Sequence, residues 1–192
     1  MDEIVMVLIA GLTVADPKVR ARSARTLAAW GSAASEAIPS LKPLCLHANT
    51  DVRRCSVWAL GAIGVRSEEA LSVILQTLRD PSPLVRRQSL WALEEMDMPS
   101  ATVGPLIQAL KDQEADVREE AAFVLGYMGP EVVMSAVTLI ECVRDPAPSV
   151  RRQSILALEL LKSTDAIPTI ETALNDTDPS VREAARSALL RL

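Results

Sequence analysis

The feature that most constrains the fold of this chain is a Val-Arg pair that recurs at nearly constant spacing. The pairs begin at Val19, Val52, Val85, Val117, Val150 and Val181. Each pair opens a stretch with apolar residues at helical spacing, as in DPSPLVRRQSLWALEEM, which begins at Asp80. Because the pair recurs about every 31–33 residues, the sequence predicts a stack of similar units that share one continuous core.

Composition indicates which secondary structure the repeats contain. Hydrophobic residues make up 49% of the 192 residues, whereas aromatic residues make up only 3%. A core of Leu, Val, Ile and Ala is typical of packed helices, so we predict an all-α fold with two helices in each repeat. The formal net charge of −5 argues against a chain whose main role is to coat nucleic acid, because phosphate binding needs a basic surface.

No linker or charge block interrupts the repeats, so we expect one domain over residues 1–192. The repeat units run approximately over residues 1–33, 34–65, 66–98, 99–130, 131–163 and 164–192. In each unit the second helix is predicted to begin at the Val-Arg pair. Glycines twelve residues after the valine fit the left-handed residue that follows a helix; they are Gly31, Gly64 and Gly129. Asp97 and Lys162 stand at this position in repeats three and five.

Targeting and metal signals are weak. The segment MDEIVMVLIAGL is apolar but lacks the positive region and cleavage site of a secretory signal, and no run approaches the roughly 20 apolar residues of a membrane helix. Cys45, Cys55 and Cys142 are odd in number and have no CxxC spacing, which favours neither a disulfide framework nor a zinc site. We expect a cytoplasmic protein without a cofactor.

Three segments carry a resemblance to a known family: DVRRCSVWALGAIG from Asp51, ADVREEAAFVLGYMG from Ala115 and PSVREAARSALLRL from Pro179. They resemble HEAT-like repeats of the short kind found in phycobilisome lyase subunits and in artificial HEAT-like repeat proteins, and the resemblance covers essentially the whole chain. It implies an α-solenoid of about six two-helix repeats, a right-handed superhelix with the second helices on its concave face. The family includes scaffolds, chromophore-lyase subunits, metal hydroxylases and DNA glycosylases, so the resemblance does not select a function.

The resemblance also implies a structural role for the arginine of each pair. In the family this arginine pairs with an aspartate of the neighbouring repeat, so Arg53, Arg86, Arg118, Arg151 and Arg182 are expected to form a ladder. The aspartate stands five residues before the valine at Asp80, Asp112, Asp145 and Asp176, but the first two repeats have Val14 and His47 there. We therefore expect the ladder to be incomplete near the amino terminus, and His47 to cap its own loop.

A helical wheel of the second helices separates a core face from an outward face. Counted from the valine at about 100° per residue, positions +4, +7, +8 and +11 lie near 40°, 340°, 80° and 20° and predict the buried face. Position +6 lies at about 240° on this wheel, opposite the core. It holds Arg25, Trp58, Trp91, Phe123, Leu156 and Ser187. Position +10, at about 280°, adds Tyr127 and Leu160, so the wheel predicts an aromatic stripe along the groove.

Such a stripe suits an amphipathic helix or an extended peptide, because helices packed about 8–10 Å apart would carry it over roughly 30 Å. The alternative is that these side chains are packing material covered by the next repeat.

Charged and polar residues flank the predicted stripe. Arg54, Arg87 and Arg152 stand at position +2, and the first two are placed to stack on the indole four residues later. Glu95, Asp116, Glu119 and Glu120 stand on the same face, so the groove is expected to be basic in its N-terminal half and acidic near repeat four. This polarity would orient a partner, although the alternative is a set of solvated charges. Gln88 and Gln153, at position +3, are interpreted either as donors to a partner backbone or as ordinary surface residues.

Catalytic interpretations find little support. His47 is the only histidine, so neither a His/Glu metal site nor a His-based triad can be assembled. The adjacent pairs Glu94-Glu95 and Glu119-Glu120 diverge by about 100° on a helix, unlike the facing carboxylates of a glycosidase. Cys55 is interpreted as a small semi-buried thiol or, alternatively, as a reactive thiol beside an arginine.

Three functions stay open, and the first is preferred: a non-catalytic protein-protein interaction scaffold that binds a peptide or helix. Its predicted binding residues are Arg25, Arg54, Trp58, Arg87, Gln88, Trp91, Glu119, Phe123, Tyr127, Arg152, Leu156 and Leu160. The second is an accessory or lyase-type subunit that holds a bilin or a phycobiliprotein. The third is nucleic-acid binding in the manner of HEAT-like DNA glycosylases, which the acidic residues of repeat four disfavour. Apolar terminal helices further suggest a homodimer through the terminal repeats or a longer array.

Overall fold

The computed structural model describes residues 3–96, 102–129 and 134–192, which form twelve α-helices and no β-strand. The first helices of the repeats are α1 (Glu3–Gly11), α3 (Ile38–Leu44), α5 (Glu68–Thr77), α7 (Val103–Ala109), α9 (Ala136–Cys142) and α11 (Ile167–Thr172). The second helices are α2 (Pro17–Trp30), α4 (Thr50–Ile63), α6 (Pro83–Glu95), α8 (Ala115–Tyr127), α10 (Pro148–Leu160) and α12 (Pro179–Leu189). The prediction of an all-α chain of helix pairs is confirmed.

The chain divides into two compact units, Met1–Met98 and Pro99–Leu192. In the first unit α2 packs against α4 and α4 against α6; in the second, α8 packs against α10 and α10 against α12. Each first helix packs against the second helix of its own repeat. The predicted repeat boundaries near residues 98 and 130 lie outside the described residues, and the single domain over residues 1–192 stays a prediction.

Proline and side-chain caps set where the second helices begin. A proline occupies the first turn of α2, α6, α10 and α12, where its missing N–H has no intrahelical partner to lose. The carboxylate of Asp16 accepts the Lys18 N–H, which caps α2. Helix α4 has no such proline, and the Asn49 side chain instead accepts the N–H groups of Asp51 and Val52.

The positive φ angles predicted at these glycines are confirmed in two places and wrong in one, and the ψ of −136° at Gly31 lies outside the left-handed helical region. Gly31 and Gly129 have φ angles of 52° and 78°, and Lys162 adopts 54° at the same position of repeat five. Gly64 has a φ of −96°, so it does not form this turn. A Cβ added at Gly64 would lie 2.4 Å from the Cβ of Ala70, so glycine is needed there for the close approach of α5. Asp97 lies outside the described residues.

Helices α4 and α10 are packed on three sides, not on one, because each has a second helix on either side and a first helix beneath it. Ser56, Ala59, Leu60 and Ile63 of α4 are buried as the wheel predicts. Val57, at position +5 and about 140° on the wheel, is also fully buried, because adjacent second helices approach at backbone distance. A Cβ added at Gly61, at position +9, would lie 2.5 Å from the Cβ of Ala92 on α6. The accessible face is therefore a narrow strip formed by positions +2, +6 and +10.

The arginine ladder is confirmed where its aspartates are present within a unit. Arg53 donates from Nε and Nη2 to Asp80 at 2.6 and 2.8 Å, and its Nη1 donates to the carbonyl oxygens of its own loop. Arg118 pairs in the same two-bonded way with Asp145, and Arg151 pairs so with Asp176. These arginines therefore hold neighbouring repeats together and also close their own interhelical loops.

Candidate functional site

The accessible strip of the first unit carries two indoles and two guanidinium groups. Trp58 is half-buried on α4, whereas Trp91 on α6 is 39% exposed. The Arg87 guanidinium lies 4.9 Å from the centroid of the Trp91 ring, which confirms the predicted stacking on this helix. Arg54 instead lies beside Asp51 at 3.8 Å, so the predicted stacking on Trp58 is replaced by a loose ion pair.

A cavity of about 340 Å³ opens on this strip. Its apolar lining consists of Trp58, Trp91 and Ala92. The charged side chains that border it are Arg54 from α4 and Glu94 and Glu95 from the last turn of α6. Arg87 does not line it, although it stacks on Trp91. The cavity thus combines aromatic surface with carboxylates.

Gln88 is the uncharged polar residue that lines this cavity, and it is 5% exposed. Within residues 3–96, 102–129 and 134–192 its side-chain amide forms no hydrogen bond with the protein. Gln153 of α10 is 8% exposed. The interpretation of these glutamines as ordinary surface residues is therefore wrong, because position +3 faces the preceding second helix. Of the two, only Gln88 borders the cavity.

In the first unit the electrostatics of the cavity are set by adjacent carboxylates. Partial burial raises the pKa of Glu94 above its ordinary value, and the negative charge of Glu95 raises it further. Neither glutamate forms an ion pair with another described residue. Sequence reasoning placed Glu95, at position +10, on the groove face but included neither glutamate among the predicted binding residues.

The accessible strip of the second unit is aromatic and aliphatic. The rings of Phe123 and Tyr127 on α8 have centroids 4.9 Å apart and are tilted by 42°. Tyr127 is 63% exposed, and Leu160 on α10 is also exposed, whereas Phe123 and Leu156 are half-buried. None of these side chains is buried core. Arg152 and Glu119 are half-buried beside them, and Arg25 is exposed on α2 in the first unit.

Apart from Gln88, which is buried at position +3, the predicted binding residues are thus distributed over one strip in each unit, and their role in binding stays a prediction.

The cysteines are poorly suited to nucleophilic chemistry. Burial raises the pKa of Cys45 to about 12 and that of Cys142 to about 11. Burial is also the largest influence on Cys55, whose pKa is raised despite the nearby Arg54, so the interpretation of Cys55 as a reactive thiol is wrong. Among the described residues no group of three or more His, Cys, Asp or Glu side chains is arranged to hold a metal ion.

In the same part of the chain, no helix has the length and apolar character required to cross a bilayer.

Comparison with known proteins identifies the repeat. The family model described as HEAT repeats matches residues 5–94 and 103–190. A comparison with curated protein sequences finds no match.

Three solved structures are similar in fold, all with a TM-score of 0.69. A designed armadillo repeat protein in complex with the peptide (KR)4 is 19% identical over 99% of both chains. An engineered protein is 20% identical over 100% of this chain and 98% of its own. The complex of CpcE and CpcF of phycocyanin lyase from Nostoc sp. PCC7120 is 23% identical over 81% of this chain and 64% of that chain.

These likenesses concern the fold alone, and the family assignment rests on the two matched stretches, which span nearly all of the sequence. The Val-Arg period, the stacked helix pairs and the arginine ladder agree with that match. The chain belongs to the HEAT repeat family, and its fold is an α-solenoid of HEAT-like repeats.

Proposed function

We propose that this chain is a protein-interaction scaffold that binds a peptide or helix of a partner through the accessible strips of its second helices. The observation that carries the proposal is the exposure of Trp91, Tyr127 and Leu160 on second helices whose opposite faces are buried core. Fully burying such a side chain is worth about 1.5–3 kcal/mol, so a partner that covers several of them gains substantial affinity. Large side chains at the accessible positions of successive second helices are typical of an interaction surface.

The charges beside these side chains support recognition of a polar partner segment. Arg54 and Arg87 flank the indoles of the first unit, and Glu119 lies beside Phe123 in the second. Charges at the edge of an interface affect the rate and specificity of association more than its final affinity. The partner would therefore be selected by its charge pattern and held by its apolar side chains.

The architecture also supports binding of an extended segment. The designed armadillo repeat protein to which this chain is similar was solved with a bound peptide, and the phycocyanin lyase structure is itself a complex of two proteins. Stacked helix pairs offer accessible positions at regular intervals, which suits a peptide that crosses successive helices.

A displayed library of random peptides tests this function. Peptides selected on the wild-type chain should bind a Trp58→Ala/Trp91→Ala variant or a Tyr127→Ala/Leu160→Ala variant at least about tenfold more weakly, since aromatic residues dominate interface energies. Met6 and Val7 are exposed apolar residues on the first helix α1, so a Met6→Ala/Val7→Ala variant is the matched control.

Circular dichroism and urea unfolding establish that each variant is folded. Peptides that bind all three variants as tightly as the wild type would contradict the proposal.

A further inference from the structure

We infer that the cavity between α4 and α6 receives a cationic side chain of the partner, a lysine or an arginine, while Gln88 bonds the partner backbone beside it. This inference rests on the proposed function and specifies the chemistry of the bound segment. A cavity of about 340 Å³ lies at the small end of the range for ligand pockets, so it suits one side chain and not a folded element.

The apolar walls fit the stem of a long basic side chain. Trp58 and Trp91 present indole surface to the cavity together with the methyl group of Ala92. Lysine and arginine bury their methylene groups against such surface while the charged end stays polar. The Arg87 guanidinium, 4.9 Å from the Trp91 centroid, shows that this indole already stabilises a cation, and Trp58 offers the cavity a second aromatic surface.

The uncompensated charge of the cavity is negative. Arg54 lies 3.8 Å from Asp51, which also binds Arg20, and the two carboxylates at the end of α6 outnumber this one arginine. Glu94 and Glu95 have no cationic partner among the described residues, and burial together with repulsion from Glu95 raises the pKa of Glu94. A cation at the end of the cavity would relieve that repulsion, whereas a partner carboxylate would increase it.

Gln88 is the residue placed to hydrogen-bond the partner's main chain beside the basic side chain. This residue is 5% exposed and lines the cavity, and its amide has no hydrogen-bond partner in the described residues. The amide reaches the solvent of the cavity, so its donors and its acceptor are available to a ligand. A primary amide offers one acceptor and two donor hydrogens, which match the N–H and C=O groups of an extended chain.

The test uses the full chain labelled with nitrogen-15, in which the indole N–H signals of Trp30, Trp58 and Trp91 are assigned by single Trp→Phe variants. Three capped pentapeptides of sequence Gly-Leu-X-Leu-Gly serve as probes, with lysine, norleucine or glutamate at X. The lysine peptide should shift the Trp58 and Trp91 signals and leave Trp30 unshifted. It should bind about fivefold to tenfold more tightly than the norleucine peptide, because only lysine gains the ionic and cation–π contacts.

Variants assign the effect to the residues of the cavity. Glu94→Gln/Glu95→Gln should abolish the preference for lysine over norleucine, whereas Glu68→Gln/Glu69→Gln, the same charge change at the start of α5, should preserve it. Gln88→Met removes the hydrogen-bonding amide at similar length and should weaken the lysine and norleucine peptides by the same factor.

The outcomes separate this inference from the proposed function. Equal binding of lysine and norleucine, or tightest binding of glutamate, with the Trp58 and Trp91 signals still shifting, would overturn the cationic subsite and leave the peptide scaffold standing. Retention of the lysine preference in Glu94→Gln/Glu95→Gln would overturn it as well. If no peptide shifts either indole, both the subsite and peptide binding by the first unit are overturned.

Discussion

The first two junctions between second helices use the same arginine position but different acids. Between α4 and α6, Arg53 forms two hydrogen bonds with Asp80, whose side chain is 6% exposed. Between α2 and α4, Arg20 forms a single bond of 2.9 Å with Asp51, whose side chain is 45% exposed. The Nε of Arg20 is buried without a hydrogen-bond partner. The first junction is therefore the less complete of the two.

This difference shows that the aspartate five residues before the valine performs two tasks. Asp80 accepts the Ser82 N–H of its own loop at 2.8 Å and also binds Arg53. In repeat two these tasks are divided. The Nδ1 of His47 accepts the Asn49 N–H at 3.0 Å, which confirms the predicted loop cap, and Asp51 binds the arginine instead. Repeat two therefore keeps the loop cap and the ion pair with the preceding arginine, but Arg20 forms one hydrogen bond with its acid and not two.

The largest expected effect comes from removing each acid in turn. Asp80→Ala should lower the free energy of unfolding by about 3–4 kcal/mol, because it leaves the buried Arg53 charge without its partner. Asp51→Ala should cost less, about 1–2 kcal/mol, because Arg20 is also buried but loses a single hydrogen bond to a carboxylate that is 45% exposed. Urea unfolding followed by circular dichroism measures both values. Equal losses would mean that the two junctions are energetically equivalent despite their different geometry.

A smaller effect is expected from restoring the missing aspartate. His47→Asp would accept the Asn49 N–H as His47 does and would also place a carboxylate where the other repeats bind the preceding arginine. We expect it to stabilise the chain by about 1 kcal/mol. His47→Asn, which keeps the loop cap without the charge, is the matched control and should be nearly neutral. An increase in stability that is equal for both variants would point to the loop and not to Arg20.

The smallest expected effect is a pH dependence of stability at the junction between α10 and α12, where Arg151 forms two hydrogen bonds with Asp176. The hydrogen bonds from Arg151 hold the pKa of Asp176 below its ordinary value of 3.8. A carboxylate with a lowered folded pKa stabilises the fold above its unfolded pKa and loses that contribution as the pH falls toward the folded value. The stability difference between the wild type and Asp176→Asn should therefore shrink as the pH falls below 3.8. Urea midpoints of both chains across that range measure it, and a constant difference would contradict the ion pair.

Much of the fold was predictable because the repeats carry similar residue types at equivalent positions of their helices. The Val-Arg pair predicts the start of each second helix to within two residues, because every one of these helices begins two residues before its valine. The turn at Gly64 was not predictable from a single position, because a glycine in a turn can serve either a positive φ or a close contact, and here Ala70 requires the contact.

The candidate site was predictable only in part. A wheel treats a helix as having one buried face, so it placed the indoles and Tyr127 outward correctly but also placed Gln88 and Gln153 at the surface. Their burial comes from the neighbouring second helix, which a wheel does not contain. Glu95 stands at position +10, which the wheel places on the groove face, whereas Glu94 at position +9 borders the cavity only because the cavity extends to the last turn of α6.

The near-contact of Gly61 with Ala92 limits the order in which such repeats can follow one another. A glycine at position +9 allows the next helix to come close, but only if that helix carries a small residue at position +7, as Gly126 finds in Ala157. Repeat four carries the larger Val124 at that position, so we expect repeat four to pack less closely against Gly61 than repeat three does. Repeats with the same motif are therefore not freely interchangeable, because at each junction the side chain at position +9 must fit the side chain at position +7 of the next second helix.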